Sequence, residues 1–275
     1  MTTQWKWKTW AMVVLIMASA GVASAGSQGT VELKYNNADP AVNATFTHGT
    51  QVNQDTRVGV YNLQIRSAGD PEGDGFIDLI ADTAVSGAKA QADGSYIIGG
   101  FCIDLPQYAS YSYLPYGIYA LEEAPLGEPM GSRANKVREL FGRNLAEFKT
   151  LTAIGQANRN SYAAAMQAAV WEIVFEETNT TLDVKVGHVS VALTTFYQDK
   201  ANSWLGTITG TEGAPMNNDL LAFGNANKQD FAIFVPGAGT ENPVPEPFTM
   251  LTASLAIGGL GMYVRRRSGR SGLAG

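Results

Sequence analysis

Two apolar runs, Trp10 to about Val22 and Phe248 to Val264, bracket the chain and leave Gly26 to Gly237 as the stretch able to build a water-soluble core. Both runs carry flanking signals that assign them to export and not to packing. Lys6 and Lys8 precede the first, and Ala23-Ser24-Ala25 closes it with the small-residue pattern that signal peptidase reads. Residues 1–25 are therefore expected to be a signal peptide, with cleavage before Gly26. The second run, residues 248–264, is apolar apart from Thr249, Thr252 and Ser254 and is just long enough for a helix to span a bilayer. Arg265, Arg266 and Arg267 follow it and favour the cytoplasmic side, which places the body outside and makes residues 265–275 a basic cytoplasmic tail.

Val244-Pro245-Glu246-Pro247 stands immediately before the second run. Together with the apolar span and the arginines it resembles the PEP-CTERM sorting signal of Gram-negative bacteria. The resemblance implies recognition by an exosortase, transient anchoring in the membrane through the C-terminal helix, and a place at the cell surface or in an extracellular matrix, a setting linked to exopolysaccharide and biofilm. Residues 238–247 then divide into a short linker and the Pro-Glu-Pro element.

Between the ends lie all 25 acidic residues but only 13 of the 19 basic ones. So acidic a body argues against nucleic acid as a partner. The pattern predicts one α+β domain over residues 26–237. Thr30 to Tyr35, Arg57 to Ile65, Gly75 to Ala81, Tyr96 to Leu105 and Phe231 to Val235 are short, β-branched or aromatic, and read as strands. Ser132 to Phe148, Ser161 to Glu177 and Val189 to Leu205 carry apolar residues at helical spacing. Tyr108, Tyr111, Tyr113, Tyr116 and Tyr119 read as an aromatic loop cluster, able to stack on sugars or to roof a site. Asp70-x-Glu72-x-Asp74-Gly75 imitates the start of a calcium loop, but Ala81 stands where the bidentate glutamate belongs, so a solvated turn is the better reading. No cofactor is indicated, and two histidines with one cysteine make a zinc site a poor fit.

The lone cysteine is the sharper clue. Cys102 cannot form an internal disulfide, so an exported chain must bury it, pair it between chains or use it. On the predicted helix Ser161 to Glu177, Glu172, Glu176 and Glu177 are expected to face water. Gln167 points about 140° from Glu172, among Ala163, Ala164, Val170 and Trp171. A carboxamide on an apolar face needs a partner, because burying it unsatisfied costs about 1–3 kcal/mol. Cys102, on the strand face opposite Phe101 and Ile103, is a candidate for that partner. A thiol held against a carboxamide away from water can condense to an internal thioester with loss of ammonia.

Phe101-Cys102-Ile103 and Met166-Gln167-Ala168-Ala169-Val170-Trp171 resemble the two signatures of the thioester domains of bacterial surface adhesins. The resemblance implies a β-sandwich or barrel-like scaffold with an inserted helical subdomain, a Cys102–Gln167 thioester, and shielding of that bond by Phe101 and Trp171. It also implies covalent capture of an amine: a protein lysine, a polyamine or an amino sugar. Such capture is single-use chemistry and not enzymatic turnover. Two other readings stand beside it. One is a Cys102 nucleophile activated by His48 or His188, and the other a non-covalent matrix or carbohydrate-binding protein with no thioester.

Overall fold

The computed structural model describes residues 27–236 apart from 50, 82–86, 127–129, 177–180 and 212. The expected signal peptide, linker, Pro-Glu-Pro element, apolar span and basic tail lie outside these residues. Among the described residues no helix is long and apolar enough to cross a membrane.

Eight strands form one antiparallel sheet: β1 (Thr30–His48), β2 (Gln51–Ser67), β3 (Lys89–Ala90), β4 (Tyr96–Cys102), β5 (Leu114–Ala120), β6 (Val189–Val191), β7 (Leu220–Asn225) and β8 (Lys228–Phe234). Four α-helices among the described residues complete the α+β architecture: α1 (Pro71–Ala81), α2 (Ser132–Thr152), α3 (Arg159–Phe175) and α4 (Thr195–Leu205). Strand order is β2-β1-β5-β7-β8-β4-β3, and β4 also pairs with β2, so the path of hydrogen-bonded neighbours returns to its start. The long β1–β2 hairpin supplies inward-facing Val31, Leu33, Val58, Leu63 and Ile65, all fully buried. Helices α2 to α4 lie between β5 and β7 in the chain, which touches the sheet once on the way, at β6 beside β1.

Several local expectations are corrected. Gly75 to Ala81 is not a strand but the body of α1, which starts at Pro71, a residue preorganised for the first helical position. Phe76 and Ile80 are buried four residues apart, a spacing that suits a helix, and the β-branched Ile77 and Ile80 account for the strand-like composition. The same change removes the calcium-loop imitation: Asp70 accepts the Thr30 N–H at 2.5 Å and Asp74 the Ser67 hydroxyl. Among the described residues no group of three or more His, Cys, Asp or Glu is placed to hold a metal. Val189 to Leu205 is not one helix; Val189 and Val191 extend the sheet beside β1, and the helix begins only at Thr195. Tyr113 to Tyr119 is largely strand β5, with Tyr116 fully buried.

Helix α3 departs furthest from expectation. One wet face was expected, yet every residue from Ala163 to Val174 is buried. α2, α4 and strands β1, β2 and β4 surround it, and a helix covered on all sides has no polar face to keep in water. Its alanines allow that close approach. Glu172 is consequently inside the protein with no exposure, and Glu176 retains only 5%.

Close approach also fixes α2. Buried Glu139 accepts the N–H groups of Thr209 and Gly210 and pairs with Arg143, which clamps the loop after α4 onto the helix. One turn on, a Cβ at Gly142 would lie 2.0 Å from the Pro215 carbonyl oxygen. Alanine normally favours a helix interior, but here the backbone would have to shift. Gly142→Ala is expected to destabilise the fold by about 1–3 kcal/mol, the usual cost of overpacking, read as a lower thermal midpoint. An unchanged or raised midpoint would contradict the close packing of this loop.

Candidate functional site

Cys102 is the last residue of β4, at the point where β2 has diverged and no longer supplies a neighbour. Its other edge still meets β8, with Cys102 opposite Phe231 and the Ile103 N–H donating to the Asp230 carbonyl at 3.0 Å. In an antiparallel ladder successive residues bond to opposite sides, so the Cys102 N–H and C=O point to the side that β2 has vacated. Gln167 of α3 fills that gap. Its Oε1 accepts the Cys102 N–H at 2.9 Å, and its Nε2 donates to the Cys102 carbonyl, also at 2.9 Å. The carboxamide stands in for a peptide group of a missing strand, and both partners are fully buried. The structure thus brings Cys102 and Gln167 together, but through the cysteine backbone.

The thiol meets a different glutamine. Gln229 of β8 places Nε2 2.9 Å from Cys102 Sγ and 3.2 Å from the Asp104 carbonyl oxygen. The same carbonyl accepts the thiol proton, with Sγ at 3.4 Å. Ladder register explains the encounter: Cys102 faces Phe231, so Gln229 stands two residues along the diagonal and on the same face of the sheet. The Gln229 backbone is held at both ends, its N–H by the Tyr108 carbonyl and its C=O by the Tyr116 hydroxyl, each at 3.3 Å. Sequence reasoning missed Gln229. The available signal was its position two and four residues before Phe231 and Ile233, which put a carboxamide on an apolar strand face, the same anomaly that singled out Gln167.

Trp171 closes the site from α3. Its ring is buried against Phe46, with centroids 5.8 Å apart, and its indole N–H makes no hydrogen bond of good geometry among the described residues, lying only near enough to the Cys102 thiol to act on it. Phe101 sits elsewhere: on the opposite strand face it packs against Phe141 and Phe148 of α2, at 5.1 and 5.7 Å. Burial pushes the Cys102 thiol up to about 12, against a smaller opposing pull from Trp171. The resting group is a neutral thiol, unlike the thiolate of a cysteine nucleophile activated by an adjacent base. His48 and His188 instead face each other, 4.9 Å between rings, and neither is a polar partner of Cys102. Asp104, buried beside the thiol, is raised to about 6 by desolvation, and Asp230 to about 8 by desolvation and by Asp104.

No family model matches the chain, and no curated protein matches it. Among solved structures, the N-terminal thioester domain of a surface protein from Clostridium perfringens is similar, with a TM-score of 0.36 and 10% identity over 74% of this chain and 97% of that one. At that level the likeness fixes neither fold nor chemistry.

Proposed function

We propose that the protein is an exported surface protein that captures an amine covalently through an internal thioester between Cys102 Sγ and the Gln229 side-chain carbonyl. The observation that carries this reading is the 2.9 Å contact of the Gln229 carboxamide with Sγ, inside a site roofed by Trp171. A fixed contact of this kind raises the effective concentration of the two groups by many orders of magnitude. Sγ bonds to Cδ, the Cδ–Nε2 bond breaks, and the thiol proton leaves with Nε2 as ammonia. The incoming amine later attacks Cδ, the C–S bond breaks, and the amine's proton restores the Cys102 thiol. Each chain reacts once.

In this scheme Gln167 is a positioning residue. By holding both backbone groups of Cys102 it fixes the direction of the thiol. Trp171 has two tasks: its ring excludes water, and its N–H, which acts on the Cys102 thiol in the resting protein, binds the oxyanion that develops on the Gln229 oxygen. The setting at the surface, with an exosortase and the membrane as processing partners, is carried by the terminal motifs of the sequence.

Intact mass decides the bond. The folded chain is expected to weigh one ammonia less than its sequence and to show no free thiol, and methylamine should release the thiol while adding its own mass. Trp171→Phe keeps the aromatic roof and removes the N–H; it is expected to slow bond formation roughly a hundred- to a thousandfold, the range known for loss of an oxyanion donor. A full-mass chain whose thiol reacts as soon as the fold is loosened would establish the non-covalent matrix reading instead.

A further inference from the structure

A cleft of about 260 Å³ reaches the proposed site, with Gln229 and Trp171 in its lining. One wall is the segment 105–111, pinned by the Gln229 N–H on Tyr108 O at 3.3 Å and by the Tyr35 N–H on Ser110 O at 2.7 Å. Tyr35 and Tyr111 meet edge to face at 5.1 Å along that wall. Two polar groups in the lining are unspent. Gln107 has a buried Oε1 with no hydrogen-bond partner, and Asp55 is an exposed carboxylate in no ion pair among the described residues. Arg57 also lines the cleft, but its guanidinium is bonded to the Ala38 carbonyl at 2.8 Å and to Asn43 at 3.3 Å.

We infer that this cleft docks the attacking nucleophile and that Gln107 and Asp55 make it selective for an unbranched alkyl primary amine. The inference rests on the thioester reading above. A carboxylate at the rim draws in an alkylammonium, the form that dominates in neutral water. Aromatic walls then desolvate the nitrogen and favour the neutral amine, which is the form that attacks. Gln107 Oε1 accepts one amine N–H and leaves the nitrogen lone pair available to the Gln229 carbon. The tyrosine and tryptophan faces cover a slender methylene stem. An amine borne on a sugar ring carries its bulk on the carbon next to nitrogen and does not fit the same approach. A polyamine gains nothing from its further charges, because Asp55 is the sole carboxylate in the lining and Arg57 repels a second cation.

The test compares thioester opening by n-butylamine, Nα-acetyl-lysine N-methylamide, spermidine and glucosamine, scored by free thiol and added mass. The two single-amine alkyl compounds should react alike, spermidine no faster per amine, and glucosamine at least tenfold more slowly. Gln107→Leu should lower opening by butylamine about tenfold, one hydrogen bond's worth, and lower the ratio of aminolysis to hydrolysis. Asp55→Asn should lower it only at low salt. Glucosamine as fast as butylamine, or an unaltered ratio of aminolysis to hydrolysis in Gln107→Leu, would overturn the assignment. A wild-type chain without the ammonia deficit would refute the thioester itself. Docking is read separately in Cys102→Ala, where butylammonium should shift the Trp171 indole N–H resonance in NMR spectra; no shift there removes the docking site whatever the state of the bond.

Discussion

Methylamine is expected to mark Gln229 and not Gln167 when the protein is opened and its peptides are mapped. Geometry makes each glutamine a candidate acyl donor, since both amides lie within hydrogen-bond reach of Cys102. They differ in what they hold. Gln167 spends Oε1 and Nε2 on the cysteine N–H and C=O, so turning its carbon toward Sγ would strand two buried backbone groups. Gln229 already contacts Sγ with Nε2, the atom that leaves as ammonia, and losing it together with the thiol proton strands one group, the Asp104 carbonyl. Gln229→Leu should therefore fold, keep full mass and expose one titratable thiol. Gln167→Leu should lose about 2–6 kcal/mol of stability, since each buried group left unpaired costs about 1–3 kcal/mol. The fraction that folds should still carry the crosslink. A methylamine adduct on Gln167, or a persistent mass deficit in Gln229→Leu, would return the acyl role to the helix.

That division of labour shows what the sequence made legible. Helical spacing was enough to expose Gln167 as a polar side chain in an apolar setting and to pair it with Cys102. It was not enough to say which atoms meet, because the choice between the thiol and the peptide group depends on where β2 leaves β4, a tertiary fact. Gln229 escaped notice since β7 was not read as a strand, and without its hairpin partner Phe231 to Val235 carried no register to Cys102. Glu172 was misread for a related reason. Periodicity assumes that a helix has one wet side, and α3 has none, so a charged residue type gave the wrong burial. Where an element borders solvent the pattern held well, as in the start of β1 and in α2.

The buried acid left by that misreading is expected to make stability fall as pH rises. Glu172 is wholly inside, its Oε1 accepting the Asp183 N–H at 2.7 Å while Oε2 has no partner. Burial first, and then the nearby Glu176 and Asp183, raise it to about 8. In the unfolded chain a glutamate titrates near 4.3. Between those values the folded state keeps a proton that the unfolded state has lost, so stability is complete below about pH 4.3, declines through neutrality and levels off above pH 8. At about 1.4 kcal/mol per unit of displacement, over nearly four units, the loss is on the order of 5 kcal/mol. Asp230 and Asp104 lean the same way, and His48, lowered by burial and by His188, opposes them only up to its ordinary value near 6.5. Glu172→Gln keeps the acceptor for the Asp183 N–H and cannot ionise. Denaturant unfolding at pH 5 and pH 8 should show wild type losing most of that difference, while the variant retains a shallower slope from the two aspartates. The variant should also be the more stable chain at pH 8. An equal slope in both would mean that Glu172 enters the fold already ionised.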